Sequence, residues 1–356
     1  MASETGEPIR VALIGYGLAG QVFHAPLVSA TPGMKLASVV TGDPGRQARA
    51  TKENEGVRIL PSVEPLWGLA AEHDLAVVAT PNRFHVPLGL AALDAGLPVV
   101  IDKPMAATAQ DGRRLLAAAS ERGLLLTVFH NRRWDGDFLT VRRLVSDGTL
   151  GSIIRFESRI ERWRPEVQEG RWRERGGREE AGGLLFDLGS HLIDQAVVLF
   201  GPPERVYAEV DRRRPGANVD DDVFVALAHE GGVRSHLWMS FLASTPGPRM
   251  RVLGARGTYE KHGLDGQEEA LRAGTRPDDG GWGREPEERW GRFTSGDDVR
   301  SIQTEPGAWP QFYRQVGEAL RHGGAPPVPP GEAVGVLEVI EAALESAQRG
   351  VVTAPG

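Results

Sequence analysis

The 356-residue chain contains no cysteine. That absence excludes disulfides, thiolate metal sites and every mechanism with a thiol nucleophile. No apolar run approaches the roughly 20 residues that cross a bilayer. The first residues, MASETGEPIR, lack the basic-then-apolar pattern of a secretory leader. A cytoplasmic protein with no membrane partner is therefore expected. Positive charge is not in excess either: the formal net charge is −7, which argues against a nucleic-acid partner, because neutralising phosphates needs a basic face. Arginines do cluster from Arg162 to Arg178, but acids are interleaved among them, the pattern of a solvated surface. Internal repeats are absent as well.

What is present suits a folded protein. Hydrophobic residues make up 40% of the chain and charged residues 25%, close to globular averages. The length exceeds one ordinary core, so two domains are expected, divided at 1–130 and 131–356. In the first, the apolar runs IRVALIG, KLASVV, LAVVAT, PVVID and LLLTVF alternate with helical spacing. That reads as βαβ units around a doubly wound parallel sheet, a Rossmann-type α/β domain. After residue 131 the texture changes. Helices are expected at Phe138 to Ser146 and Leu184 to Phe200, and a strand at SIIRFESRI. The runs RVYAEV, VFVALAH, VRSHLWMSFLA and RMRVLGA follow without helices between them, so the second domain is α+β with a large, mostly antiparallel sheet. Residues 261–308 are polar and read as a long irregular excursion, a lid or a surface insertion. Helical patterns at Trp309 to Arg321 and Glu332 to Gln348 close the chain.

Three stretches carry chemistry. The first, GYGLAGQVFHAP, places Gly15, Tyr16, Gly17, Leu18, Ala19 and Gly20 between an apolar strand and a helix. In that context G-x-G-x-x-G reads as a dinucleotide site: Gly15 permits the turn, Gly17 admits a pyrophosphate and Gly20 lets helix pack on strand. Pro26 is expected to stop or kink the helix after its initial turns. At the end of the second strand, where a ribose-binding acid is usual, stands Thr41. A neutral residue there, with Arg46 or Arg49 nearby, favours NADP; Asp43, drawn into the turn, would favour NAD.

In the second stretch, GLPVVIDKPMA, Lys103 lies just past the carboxyl end of a parallel strand, on the ligand-binding edge of such a sheet, with Pro104 stiffening the chain beside it. Thr80, Pro81, Asn82 and His85 of TPNRFH follow the preceding strand and reach the same edge. The third, DLGSHLIDQ, sets Asp187, His191 and Asp194 or Gln195 at helical spacing on one polar stripe. A carboxylate one turn before a histidine can fix its tautomer and raise its basicity, as a general base requires. The stripe lacks a third ligand of metal-binding type, so no metal is expected.

Together GYGLAG, TPN, DKP and the D-x-G-x-H-x-x-D of DLGSHLID, in that order, resemble the Gfo/Idh/MocA oxidoreductases. HNRRWDGDFLT, RPEVQ with RWRE, and GLDGQEEALRAG extend the resemblance to the subgroup that contains NADP-dependent scyllo-inositol 2-dehydrogenases. The resemblance implies hydride transfer between a nicotinamide and a secondary alcohol of a cyclitol or sugar. It implies that Lys103 orients the hydroxyl beside the cofactor, His191 exchanges its proton and Asp187 supports them. It also implies substrate contacts from Asn131, Arg132, Trp134 and Arg162. A homodimer or homotetramer is expected because an antiparallel sheet with apolar outer positions is rarely left wet. An NAD-dependent glycoside hydrolase, a nucleotide-sugar dehydrogenase and a non-catalytic nucleotide sensor are the alternatives on the same fold.

Overall fold

The computed structural model describes residues 6–167, 177 and 180–356. In the first part of the chain, short β-rich runs form β1 (Ile9–Ile14), β2 (Met34–Val40), β3 (Arg58–Leu60), β4 (Leu75–Val78), β5 (Val99–Ile101) and β6 (Leu126–Val128). They pair in parallel in the order β3-β2-β1-β4-β5-β6. Every residue of β4, β5 and β6 is buried, as befits strands covered on both faces. The strand order reverses between β1 and β4, and the crevice outside their carboxyl ends is where such a sheet binds ligands. β3 escaped the sequence reading because it has three residues, of which only Leu60 is buried.

The segment after the glycine loop differs from expectation. Ala19–His24 is wound as a π-helix, and Ala25–Ser29 continues it as an α-helix. The helix thus runs through Pro26 instead of stopping there. A proline ring presses on the carbonyl four residues back and donates no hydrogen bond. Here the wide turn comes just before it, with the Ala25 N–H reaching back to the Gly20 carbonyl.

The second sheet contains β7 (Ile153–Glu161), β8 (Pro203–Asp211), β9 (Asp222–His229), β10 (Arg234–Ser240), β11 (Met250–Gly254), β12 (Gly257–Lys261), β13 (Gly291–Ser295) and β14 (Asp298–Ile302). Their order is β14-β13-β12-β11-β7-β10-β9-β8, antiparallel except where β7 meets β10. The helices Ser190–Phe200 and Pro330–Arg349 pack on this sheet. Pro330–Arg349 also reaches the first sheet's helix Ala109–Arg122, where Glu341 accepts the Ala109 N–H at 2.9 Å.

Residues 261–308 are more regular than their polarity suggests. They carry the helix Gln267–Arg272 and the β13–β14 hairpin that prolongs the sheet. Periodicity missed the hairpin because only Gly291 and Phe293 are buried in β13 and no residue is in β14. Its root is held by an ion pair with almost no solvent contact, Lys261 Nζ to Glu285 Oε2 at 3.1 Å. Removing one partner strands a buried charge, whereas removing both need not. Glu285→Gln is therefore expected to lower unfolding stability by about 3 kcal/mol, and adding Lys261→Met to recover part of that loss in urea denaturation. A Glu285→Gln protein as stable as the parent would contradict this role.

Candidate active site

The glycine loop follows β1, and its three glycines are needed for different reasons: two positions admit no side chain, and the third leaves backbone open. Gly15 has φ +101°, and a Cβ on it would lie 2.5 Å from the Ala79 carbonyl oxygen; one on Gly20 would lie 2.1 Å from the Gly15 oxygen. These two shape the turn. A Cβ on Gly17 would meet only Arg46 Nη1, at 3.9 Å, so its backbone is open to a diphosphate. Leu18 and Ala19 line the neighbouring cavity. The Tyr16 hydroxyl turns away and donates to Glu53 at 2.8 Å. Thr80 abuts the loop, with Cγ2 3.1 Å from the Gly15 Cβ position and a buried, unpaired Oγ1. The residues present fit a dinucleotide.

The neighbouring groups settle into distinct roles. Asp43 caps the helix Pro44–Glu53 by accepting the Arg46 N–H at 2.7 Å, and Thr41 is buried. Asn82 donates to the carbonyls of Glu180 and Ala181. Both ring nitrogens of His85 face backbone carbonyls, those of Thr80 and Pro104. His85 thus fastens the turn after β4 to the strand end at Lys103, and Asn82 fastens it to the second domain; neither they nor Pro81 lines the large cavity.

That cavity has a volume of about 960 Å³ and lies between the first sheet's carboxyl edge and the second domain. Lys103, Asp187, His191, Asn131, Arg132 and Arg162 all line it. Lys103 Nζ donates to Asp187 Oδ1 at 2.8 Å and to the Asp187 carbonyl. An ammonium has three donors, so one is left for a ligand oxygen. Asp187 lies in a π-helical turn, Leu185–Gly189, at the head of the helix Ser190–Phe200.

The stripe expected from spacing is divided among different partners. Asp187 serves Lys103, and no hydrogen bond joins it to His191. Asp194 pairs with Arg133, and Gln195 links the Arg132 carbonyl to Arg249. The His191 pKa is accordingly pushed well below its ordinary 6.5 by burial, then by the cations Lys103 and Arg132. Its Nδ1 is buried without a partner. The imidazole is neutral at physiological pH, and its basicity is lowered rather than raised.

Arg132 binds Asp135 at 3.0 Å and Glu268 at 3.1 Å. Trp134 does not reach the cavity; its ring meets Phe312 edge to face. The arginine cluster is not simply a solvated surface, since Arg162 and Arg164 line the cavity, while its remaining arginines and the RWRE motif lie outside the described residues. Sequence reasoning overlooked Asp220. Its carboxylate accepts the Leu185 N–H at 2.7 Å, pinning the turn that carries Asp187, and burial pushes its pKa up to about 6. The run Asp220-Asp221-Asp222 leading into β9 was the available signal. His24 is fully buried, with Nδ1 2.6 Å from the Tyr313 hydroxyl and Nε2 3.8 Å from Asp102.

A parallel sheet with a glycine cradle, joined to a sheet domain that closes a cavity over a lysine and a histidine, defines a two-domain, nicotinamide-dependent oxidoreductase. The chain belongs to the Gfo/Idh/MocA oxidoreductase family: residues 9–130 match its NAD-binding Rossmann fold and 142–354 its C-terminal alpha/beta domain. It is 38% identical over 346 residues to IolW, the NADP(+) scyllo-inositol 2-dehydrogenase of Bacillus subtilis, covering 96% of this chain and 94% of that one. It is 40% identical to YdgJ, an uncharacterized oxidoreductase of Escherichia coli, over 96% of each. The solved structure of the oxidoreductase yvaA from Bacillus subtilis superposes with a TM-score of 0.92 at 38% identity, over 98% of each chain. Among the described residues no helix is long and apolar enough to cross a membrane.

Because space at Gly17 is reserved for a ligand and not for packing, Gly17→Val is expected to weaken NADPH binding at least about tenfold while leaving the thermal midpoint unmoved. Fluorescence titration and thermal unfolding check both. Unchanged affinity would remove Gly17 from the dinucleotide site.

Proposed function

We propose that this protein is an NADP-linked dehydrogenase acting on a secondary alcohol of a cyclitol or sugar, with an inositol-type substrate foremost. The observation that carries this reading is Lys103 with a free donor and a neutral His191 in one cavity, at the strand end where the dinucleotide fold binds ligands. When bound, the nicotinamide supplies the hydride chemistry. The remaining work falls to the chain. Lys103 donates to the substrate oxygen, orients it and stabilises its developing negative charge. His191 takes the hydroxyl proton through Nε2 in oxidation and returns it in reduction. Asp187 holds the Lys103 ammonium in place, and Asn131 and Arg132 meet other hydroxyls.

NADP is favoured because Asp43 is spent on a helix cap while Arg46 stands next to Gly17. The similarity to IolW supports both the cofactor and the substrate class. A cytoplasmic setting accords with a chain free of cysteine. Self-association through the large sheet accords with Phe224, His236, Trp238 and Arg159, which stack on one of its faces without full burial.

Lys103→Ala is expected to cost about 10²- to 10³-fold in kcat/KM while NADPH still binds; turnover near the parent level would disprove the assignment. Since His191 is neutral above its depressed pKa, the acidic limb of kcat/KM for alcohol oxidation is expected below pH 6.5. A limb centred above that value would show that a different base, or a differently placed His191, is at work.

A further inference from the structure

Eight arginines line the large cavity. Arg132, Arg159, Arg214, Arg249, Arg272 and Arg289 each have a carboxylate within ion-pair distance. Arg162 and Arg164 have none among the described residues. A guanidinium kept partly out of water without a counter-ion is costly unless a ligand supplies the charge.

The placement of the pair is specific. The chain stays extended after β7: the Arg162 N–H bonds to the Ser240 carbonyl, Trp163 bridges Leu242, and the Arg164 N–H bonds to the Phe241 carbonyl. Residues two apart on an extended chain share a face, so the intervening Trp163 is turned outward, 57% exposed. The Arg164 guanidinium is seated over the Phe241 ring at 5.3 Å, a contact that positions a cation without neutralising it. Burial depresses the Arg162 pKa; Glu268 and Asp187 favour its charge while Arg164 and Arg132 oppose it. Both of those carboxylates are engaged elsewhere, Glu268 with Arg132 and Arg272, Asp187 with Lys103. On the dehydrogenase reading above, the phosphates of the cofactor would fall to the glycine loop and Arg46 in the first domain.

We propose that Arg162 and Arg164 form an oxyanion-binding subsite, and that the substrate is a polyol or sugar bearing a carboxylate or phosphate group. This rests on the dehydrogenase reading above. The oxyanion lies between the two guanidiniums, and the same molecule presents its reacting hydroxyl to Lys103 and His191. Planar, donor-rich arginine suits either oxyanion.

The test compares kcat/KM with NADP for matched pairs: glucose with glucuronate, glucose with glucose 6-phosphate, and an inositol with its monophosphate. At least one charged member is expected to exceed its neutral counterpart tenfold or more, and the carboxylate and phosphate arms tell which oxyanion is meant. In Arg164→Gln that ratio is expected to collapse toward one. A second readout needs no turnover: glucuronate or the sugar phosphate is expected to raise the thermal midpoint of the NADPH complex in the parent, and not in Arg162→Gln/Arg164→Gln. Turnover of neutral members equal to or better than charged ones, with no anion-dependent midpoint shift, overturns the subsite and leaves the dehydrogenase standing. A midpoint shift lost in the double variant, with no polyol oxidised, supports the subsite and overturns the dehydrogenase reading instead.

Discussion

The Lys103–Asp187 ion pair is the contact on which the site depends. Its partners are 84 residues apart in the chain, one at the end of a parallel strand and the other on a helix of the second domain. The ammonium is nearly enclosed, so its charge is held by one carboxylate and one carbonyl rather than by water. Much of the surrounding structure secures the two ends. His85 bonds the Pro104 carbonyl on one side, and Asp220 bonds the start of the Asp187 turn on the other. Asn82 bridges the domains close by, through the carbonyls of Glu180 and Ala181.

Both helices that feed the site begin in π-helical turns, Ala19–His24 and Leu185–Gly189. A π turn inserts an extra residue and changes the direction of the side chains around it, and such turns recur at functional sites. In the second helix this separates Asp187 from the register of the residues that follow. Asp187 turns to Lys103, while Asp194 turns to Arg133 and Gln195 to Arg249 and the Arg132 carbonyl. In the first it delivers His24 into a buried contact with Tyr313 of the helix Pro310–His322, so the chain that leaves the glycine loop is tied to a segment 289 residues further on.

Much of this was legible in the sequence. Apolar runs with the right punctuation disclosed five of the six parallel strands, and the glycine spacing disclosed the cradle because Gly15 and Gly20 are sterically required by the turn while Gly17 leaves its backbone open. Lys103 was legible as a strand-end residue. Partnerships were harder to read. Helical spacing placed Asp187 one turn before His191 and implied that one raises the basicity of the other; the π turn, invisible to periodicity, gave Asp187 a different partner. Trp134 looked like a site residue by its neighbours, yet its ring is claimed by Phe312. Asp220 and Arg164 reach the cavity only through tertiary folding, and the polar β13–β14 hairpin carries too few buried residues to register as strands.

The central claim is that a substrate held in the Lys103–His191 cavity gives up hydride from a carbinol carbon directly to a bound nicotinamide, its hydroxyl proton going to His191. The most direct measurement uses a cyclitol deuterated at its ring carbons, incubated with the protein and NADP, followed by mass analysis of the reduced cofactor. Deuterium carried into the dihydronicotinamide, with a primary isotope effect on its appearance, is the expected result. Cofactor that binds yet gains no deuterium from any cyclitol or sugar, charged or neutral, would contradict it.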